Sequence, residues 1–430
     1  MSAVSAAAAG TAAAHTKDAR DARIVAAVDT ARDELIAVSR DIHAHPELNY
    51  EERHASAVLA DLLERHGFAV ERAVGGVETA FRATARGRGP GPTVAFLAEY
   101  DALPDIGHGC GHNLIALSNA GAGIGAKAAL DDLDGGVQVI GTPAKEGGGG
   151  KIRLLEAGVF EGVGVALSSH PASHHTVIPT EFEGGWGLAM IGFRYAFHGQ
   201  AAHAAVAPHE GVNALNAVLR LFSGIDALRQ HLRDDVRIHG VITDGGKAPN
   251  VVPDFAAANF MLRSRDRAYL ADVVEKVRRV GEGAALETGA RLEVLPYYPF
   301  VTPKGTHAMY ENGRPNAVLA RLAAAAAPIA RLRLDPPPAG HRTSGGASSD
   351  FGNVSQVVPA FALGFAVSAT PVPGHSPAMR EAAATDLAHE RALAVARTLG
   401  IVATDLLATP ALLDEARADF SARAAQEVRP

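Results

Sequence analysis

Cys110 is the only cysteine in 430 residues, so no disulfide can form within the chain, and a lone thiol suits a reducing, cytoplasmic compartment. Basic residues are outnumbered, 40 Lys and Arg against 47 Asp and Glu, and no Lys/Arg cluster stands beside interleaved aromatics; no nucleic-acid partner is expected. No stretch approaches the roughly 20 consecutive apolar residues of a membrane span, so no membrane partner is expected either. The opening MSAVSAAAAGTAAAHTKD has neither the basic start nor the Leu/Val/Ile-rich stretch of a secretory signal, and residues 1–20 read as a disordered Ala-rich tail. No internal repeat is visible. No GxGxxG turn follows a strand, and Gly147–Gly150 lacks the strand, GxxxxGK(S/T) and helix of a phosphate loop, which sets nucleotide enzymes aside.

What is present is a globular composition, 47% hydrophobic and 20% charged, over a length that predicts two domains. Histidine is plentiful at 19, and imidazole is both the commonest metal ligand and a near-neutral acid or base. The apolar spacing of Ile24, Val28, Leu35 and Val38 predicts a helix over Asp21–His43, and Val58, Leu59, Leu62 and Leu63 predict another over Glu51–His66, stopped by Gly67. Short apolar runs at Thr93–Glu99, Val137–Ile140 and Val165–Ser169, each followed by loop and helical pattern, predict an α/β domain with a largely parallel central sheet flanked by helices. The pattern then changes. Over 187–296 it reads strand, helix, two strands, helix, strand, an α+β unit of the split-βαβ kind inserted into the first domain. The expected division is therefore 21–186 with 297–430 as one domain and 187–296 as the other.

Ligands of such sheets bind at the carboxyl ends of strands. There stand AEYDALPDIGHGCGHN, GTPAKEGGGGK and SSHPASHH, which carry most of the candidate chemistry. Taken singly, each group has an ordinary reading: Cys110 as buried core, His112, His170 and His375 as loop histidines, Glu146 as a solvated acid before a flexible loop. Together they offer a thiolate, three imidazoles and a carboxylate, enough for two ions that share a bridging ligand.

YDALPDIGHGCGHN, GTPAKEGGGGK, SHP, FHGQAAHAA, GGKAPNVVPD, SSDFGNVS and GHSP, in this order and spacing, resemble the M20 metallopeptidases, within them the amidohydrolase branch of aminoacylase-1-like protein 2 and aminobenzoyl-glutamate hydrolase. The resemblance runs from about His43 to Leu407. It implies a hydrolase that splits the amide bond of N-acyl amino acids or small dipeptides with a metal-activated water, and a lid that makes a homodimer. It implies two divalent ions per chain, Zn or Mn, with Cys110 bridging them and His112, Glu146, His170 and His375 completing their ligands. Asp101, and with it Glu99, would orient ligands. His203 would stabilise the oxyanion across the dimer, and Asn250 and Arg263 would hold a substrate carboxylate. By position alone His203 is equally a surface histidine and Arg263 equally a salt-bridge partner at a strand end.

In the family the general base is the first Glu of a Glu-Glu pair; here the pair reads Lys145-Glu146. An ammonium is an acid, so Lys145 is either neutral, turned away, or accompanied by a weakened metal pair. Three readings follow: a homologue with altered chemistry, a metal-binding homologue with impaired hydrolysis, or a chain altered to trap its substrate.

Overall fold

The computed structural model describes residues 2–177, 187–297, 310–336 and 347–427. The chain divides into two compact units, one comprising Met1–Phe182, Arg314–Thr343 and Val354–Pro430, the other Glu183–Gly313 and Ser344–Asn353.

The first unit is built on a six-stranded sheet in the order Ala69–Arg72, Phe81–Arg86, Gly136–Gly141, Thr93–Ala98, Val163–Ala172, Ala360–Ala366. The last four run parallel, and Phe81–Arg86 runs antiparallel to both of its neighbours, Ala69–Arg72 and Gly136–Gly141. Parallel strands covered on both faces carry near-continuous apolar runs, and Val94 to Ala98 are all buried. Helix His112–Lys127 is buried along almost its whole length and lies close to the sheet at Gly123, where a Cβ would come within 2.3 Å of Val139. Helix Asp386–Ala408 packs beside it, and no single helix among the described residues is long and apolar enough to cross a membrane.

Residues 2–30 form one helix, Ser2–Thr30, where a disordered tail over 1–20 was expected. Lys17 Nζ sits 2.7 Å from Asp405 and 2.9 Å from Asp21, Arg20 also pairs with Asp405, and Ile24 and Val28 are buried in the core. The single helix expected over Asp21–His43 is two, broken at Ala31 before Arg32–Ala44. Helix Pro410–Glu427 was not foreseen.

The second unit is an antiparallel sheet in the order Arg237–Asp244, Phe255–Ser264, Ala189–His198, Arg291–Pro296, with helices Ala214–Arg229 and Arg267–Thr288. Ile191, Phe193, Tyr195 and Phe197, alternate residues of one strand, join Leu221 and Val277 in a single core. Asn213 and Asp266 cap the two helices by accepting backbone N–H groups, and Gly289, at φ 74°, ends the second in the left-handed conformation open to glycine. Segment Ser344–Asn353 also joins this unit: Leu188 N–H donates to Ala347 O at 2.9 Å.

Candidate metal centre

Strand order assembles the first unit's cluster. Thr93–Ala98 lies between Gly136–Gly141 and Val163–Ala172, so the segments leaving three neighbouring parallel strands meet at one edge. The first supplies Glu99 and Asp101, the second Lys145 and Glu146, and the third carries His170 within the strand itself. Cys110 stands in the loop before helix His112–Lys127. The turn there needs Gly111, which has φ 73° and whose Cβ would meet Pro171 at 2.9 Å. His375 arrives from the loop after Ala360–Ala366, held at φ 53° by its N–H donating to Gly109 O at 2.9 Å. A left-handed histidine is uncommon and costs backbone energy, which the surrounding contacts must offset.

The groups form two triads that share a vertex. Ligand atoms of Cys110, His112 and His170 lie within 4.8 Å of one another, and so do those of Cys110, Glu146 and His375. The His112 Nδ1–H donates to Asp101 Oδ1 at 2.8 Å, turning Nε2 inward, 3.3 Å from Glu146 Oε1 and 3.6 Å from Glu99 Oε2. This buried Nε2 makes no hydrogen bond among the described residues. A carboxylate behind a histidine with its other nitrogen unsatisfied is the arrangement of a metal ligand. The His170 Nδ1–H donates to Pro171 O at 2.8 Å, and Nε2 faces Cys110 Sγ at 3.6 Å. Asp101 Oδ2 accepts the Glu146 N–H at 2.8 Å, so one carboxylate orients two members of the cluster.

Lys145 is buried and turned in. Its Nζ stands 3.7 Å from Cys110 Sγ and 3.5 Å from Glu146 Oε1. Burial opposes its charge, but Cys110, Glu146, Glu99 and Asp101 outweigh burial and hold its pKa well above the usual value. Burial likewise opposes the Cys110 thiolate, yet Lys145, His170 and His112 hold that pKa well below the ordinary thiol range. Of the states open to Lys145 on sequence grounds, an outward-turned amine is not what the fold contains.

Two buried groups here escaped the sequence reading. Lys151 Nζ is fully buried against Glu99 Oε1 at 2.7 Å; a lysine after four glycines carries no local sign of burial. Glu52 is also fully buried, and its Oε1 accepts the N–H of Ala144, held at φ 57°, at 2.7 Å. Tyr50 helps shape the same loop by donating its hydroxyl to Gly148 O at 2.5 Å. Burial, reinforced by Asp101, pushes the Glu52 carboxyl up to about 7. The folded chain then binds this proton more tightly than the unfolded chain, so stability falls as pH rises from the ordinary carboxyl range through about 7. The loss is on the order of 3 kcal/mol at ~1.4 kcal/mol per pH unit. Glu52→Gln is expected to flatten this fall, read by denaturant unfolding at several pH values; an unchanged profile would show Glu52 ionised throughout.

The remaining candidates lie in the second unit. His203 is exposed, and its Nδ1 accepts the N–H groups of Ala205 and Val206, both at 3.2 Å, which leaves the ring proton on Nε2. It pairs with Val251, and Ala204 N–H donates to Asn250 O at 3.0 Å, so His203 and Asn250 are neighbours. Arg263 lies toward the other end of strand Phe255–Ser264; the eight steps from Phe255 to Arg263 span about 26 Å at ~3.3 Å per residue. Its Nη1 donates to Ser348 Oγ at 3.3 Å, its buried Nε has no partner, and no carboxylate pairs with it among the described residues. The strand-end salt bridge open to it on sequence grounds is absent there.

The profile of the peptidase dimerisation domain matches residues 189–288. The chain is 34% identical over 421 residues to the Xaa-Arg dipeptidase of Homo sapiens, covering 93% of this chain and 92% of that one. It is 35% identical over 287 residues to one of the subunits of the p-aminobenzoyl-glutamate hydrolase of Escherichia coli, covering 62% of this chain and 58% of that one. In fold it is similar to a dinuclear metal-binding peptidase of the M20 family from Bacillus subtilis, with a TM-score of 0.67 and 22% identity over 89% of this chain and 99% of that one. By sequence identity along nearly its full length, the chain belongs to the M20 peptidase family.

Proposed function

We propose that this chain is a metal-dependent hydrolase that cleaves the amide bond of N-acyl amino acids or small dipeptides. The observation that carries the reading is the pair of triads meeting at Cys110, with the buried, unsatisfied Nε2 of His112 aimed into them. A thiolate, three imidazoles and a carboxylate suit two divalent ions, Zn or Mn, with Cys110 shared and His112, His170, Glu146 and His375 as the other ligands. Such ions supply Lewis acidity that activates water and polarises the scissile carbonyl. The chain's own part is to fix the ligands through Asp101, to bury Cys110 and His112, and to place a donor and a cation on the substrate. The Nε2–H of His203 suits a developing oxyanion. The guanidinium of Arg263 suits a substrate carboxylate, with Asn250 as a second polar contact.

His203 and Asn250 lie too far along the strand from Arg263 for all three of one chain to touch one small substrate. A homodimer through the lid resolves this, each chain lending His203 and Asn250 to its partner. Arg263→Ala is expected to raise KM at least tenfold for substrates with a free carboxylate, with little change in kcat, and to leave amidated substrates unaffected.

Lys145 favours a second reading, a metal-binding homologue with impaired hydrolysis, because its ammonium occupies the vicinity in which the family's base works. A panel of N-acyl amino acids and dipeptides, assayed with Zn- and Mn-loaded protein beside its Lys145→Glu variant, tests both. Cleavage by the Lys145 chain supports the first reading, cleavage by the variant alone supports the second, and no cleavage by either overturns the hydrolase.

A further inference from the structure

Asp41, His45 and His54 lie outside the Cys110 cluster and share no residue with it. Asp41 is in helix Arg32–Ala44, His45 is the residue that ends that helix, and His54 is in the first turn of helix Arg53–Arg65. Asp41 and His45 are four apart, a spacing that puts two side chains on one helix face. The Asp41 carboxylate touches both imidazoles, Oδ2 at 2.7 Å from His54 Nε2 and Oδ1 at 3.1 Å from His45 Nδ1, and the His45 Nδ1–H donates to the backbone O of Asp41 at 2.9 Å. All three ligand atoms lie within 4.8 Å of one another, and the two rings meet edge to face with centroids 4.8 Å apart.

We propose that these three residues form a peripheral binding site for one divalent transition ion of the Zn2+, Ni2+ or Cu2+ class, with solvent in the remaining positions. A tetrahedral ion with bonds of about 2.0 to 2.1 Å separates its ligands by about 3.3 Å, a spacing within the 4.8 Å of the trio, and binding requires the His45 ring to turn its Nδ1 from the Asp41 backbone carbonyl to the ion. Two imidazoles and a carboxylate are the donors such ions prefer over Mg2+ or Ca2+. The frame is held on the His54 side. Glu47 accepts the N–H groups of His54 and Ala55 at 2.9 Å each, which locks the start of the second helix and commits that carboxylate elsewhere. Asp41 supplies the charge that draws a cation, and binding displaces the ring protons that hydrogen-bond to it. The side chains are partly exposed, His45 at 60%, His54 at 40% and Asp41 at 38%, so an ion can enter without unfolding.

Chelator-treated full-length protein, titrated with Zn2+ in equilibrium dialysis, is compared with a His45→Ala/His54→Ala variant. The expected result is one ion fewer per chain in the variant, with the same difference when both carry Cys110→Ala to silence the central cluster. Asp41→Asn, which keeps both imidazoles, should weaken that ion at least tenfold. Cu2+ bound to the Cys110→Ala chain should show nitrogen hyperfine coupling in its electron paramagnetic resonance spectrum, and the His45→Ala/His54→Ala change should abolish it. Equal stoichiometry in the parent and the double variant would overturn the site and reduce the trio to a hydrogen-bonded surface cluster. That outcome leaves the hydrolase reading untouched, since no residue is common to the two.

Discussion

Changing Lys145 to Glu is expected to raise kcat for amide hydrolysis by roughly 10²-fold or more while KM stays within a few-fold. The physical reason begins with geometry. Nζ stands 3.5 Å from Glu146 Oε1 and 3.7 Å from Cys110 Sγ, and those two neighbours favour the protonated amine. A protonated amine has no lone pair with which to take a proton from water, whereas a carboxylate there can take it and pass it to the leaving nitrogen. A base acts in the transition state and the lid contacts act on the bound substrate, so the gain should fall on kcat. A second effect has the same sign. A cation about 5 Å from a divalent ion opposes it by several kcal/mol at an effective dielectric near 20, so the variant should also retain metal more tightly. Steady-state kinetics and metal content, measured on the same preparations, check both. A Lys145 chain that turns over rapidly, with Lys145→Glu slower, would make Lys145 a working group and end the description of it as a missing base.

Cys110→Ala is the second change with a large expected effect. It should remove both central ions and lower hydrolysis by on the order of 10³-fold or more, since water loses the activation that metals supply. His170→Ala and His375→Ala should each weaken one ion, because each belongs to one triad while Cys110 belongs to both. Metal analysis after mild dialysis, with circular dichroism to confirm the fold, separates these cases. Two ions retained by the Cys110→Ala chain would remove the thiolate from its shared position.

Much of the centre was legible in the chain because its parts are local. Apolar runs ending in AEYDALPDIGHGCGHN, GTPAKEGGGGK and SSHP place candidate ligands at strand ends, and strand ends of a parallel sheet are where ligands gather. The second unit was legible for the same reason: residues 187–296 alternate strand and helix periods. The departure at Lys145 was also visible from the string of letters.

Tertiary structure decided what depends on neighbours distant in sequence. An Ala-rich start is compatible with a loose tail or a helix, and contacts of Lys17 and Arg20 with Asp405, nearly 400 residues away, accompany the helix. Whether Lys145 turned in or out depended on Cys110, 35 residues earlier, and on the cost of burying a charge without partners. The burial of Lys151 on Glu99 and of Glu52 under Ala144 had no local sign, since a charged residue beside glycines or at a helix start is ordinarily solvated. The common vertex of the two triads emerged only when Thr93–Ala98 took its place between Gly136–Gly141 and Val163–Ala172. Period and turn chemistry report on the few residues around a position, so they name elements and candidate groups. Which groups touch, and in which charge state, is set by long-range packing and by the burial that packing imposes.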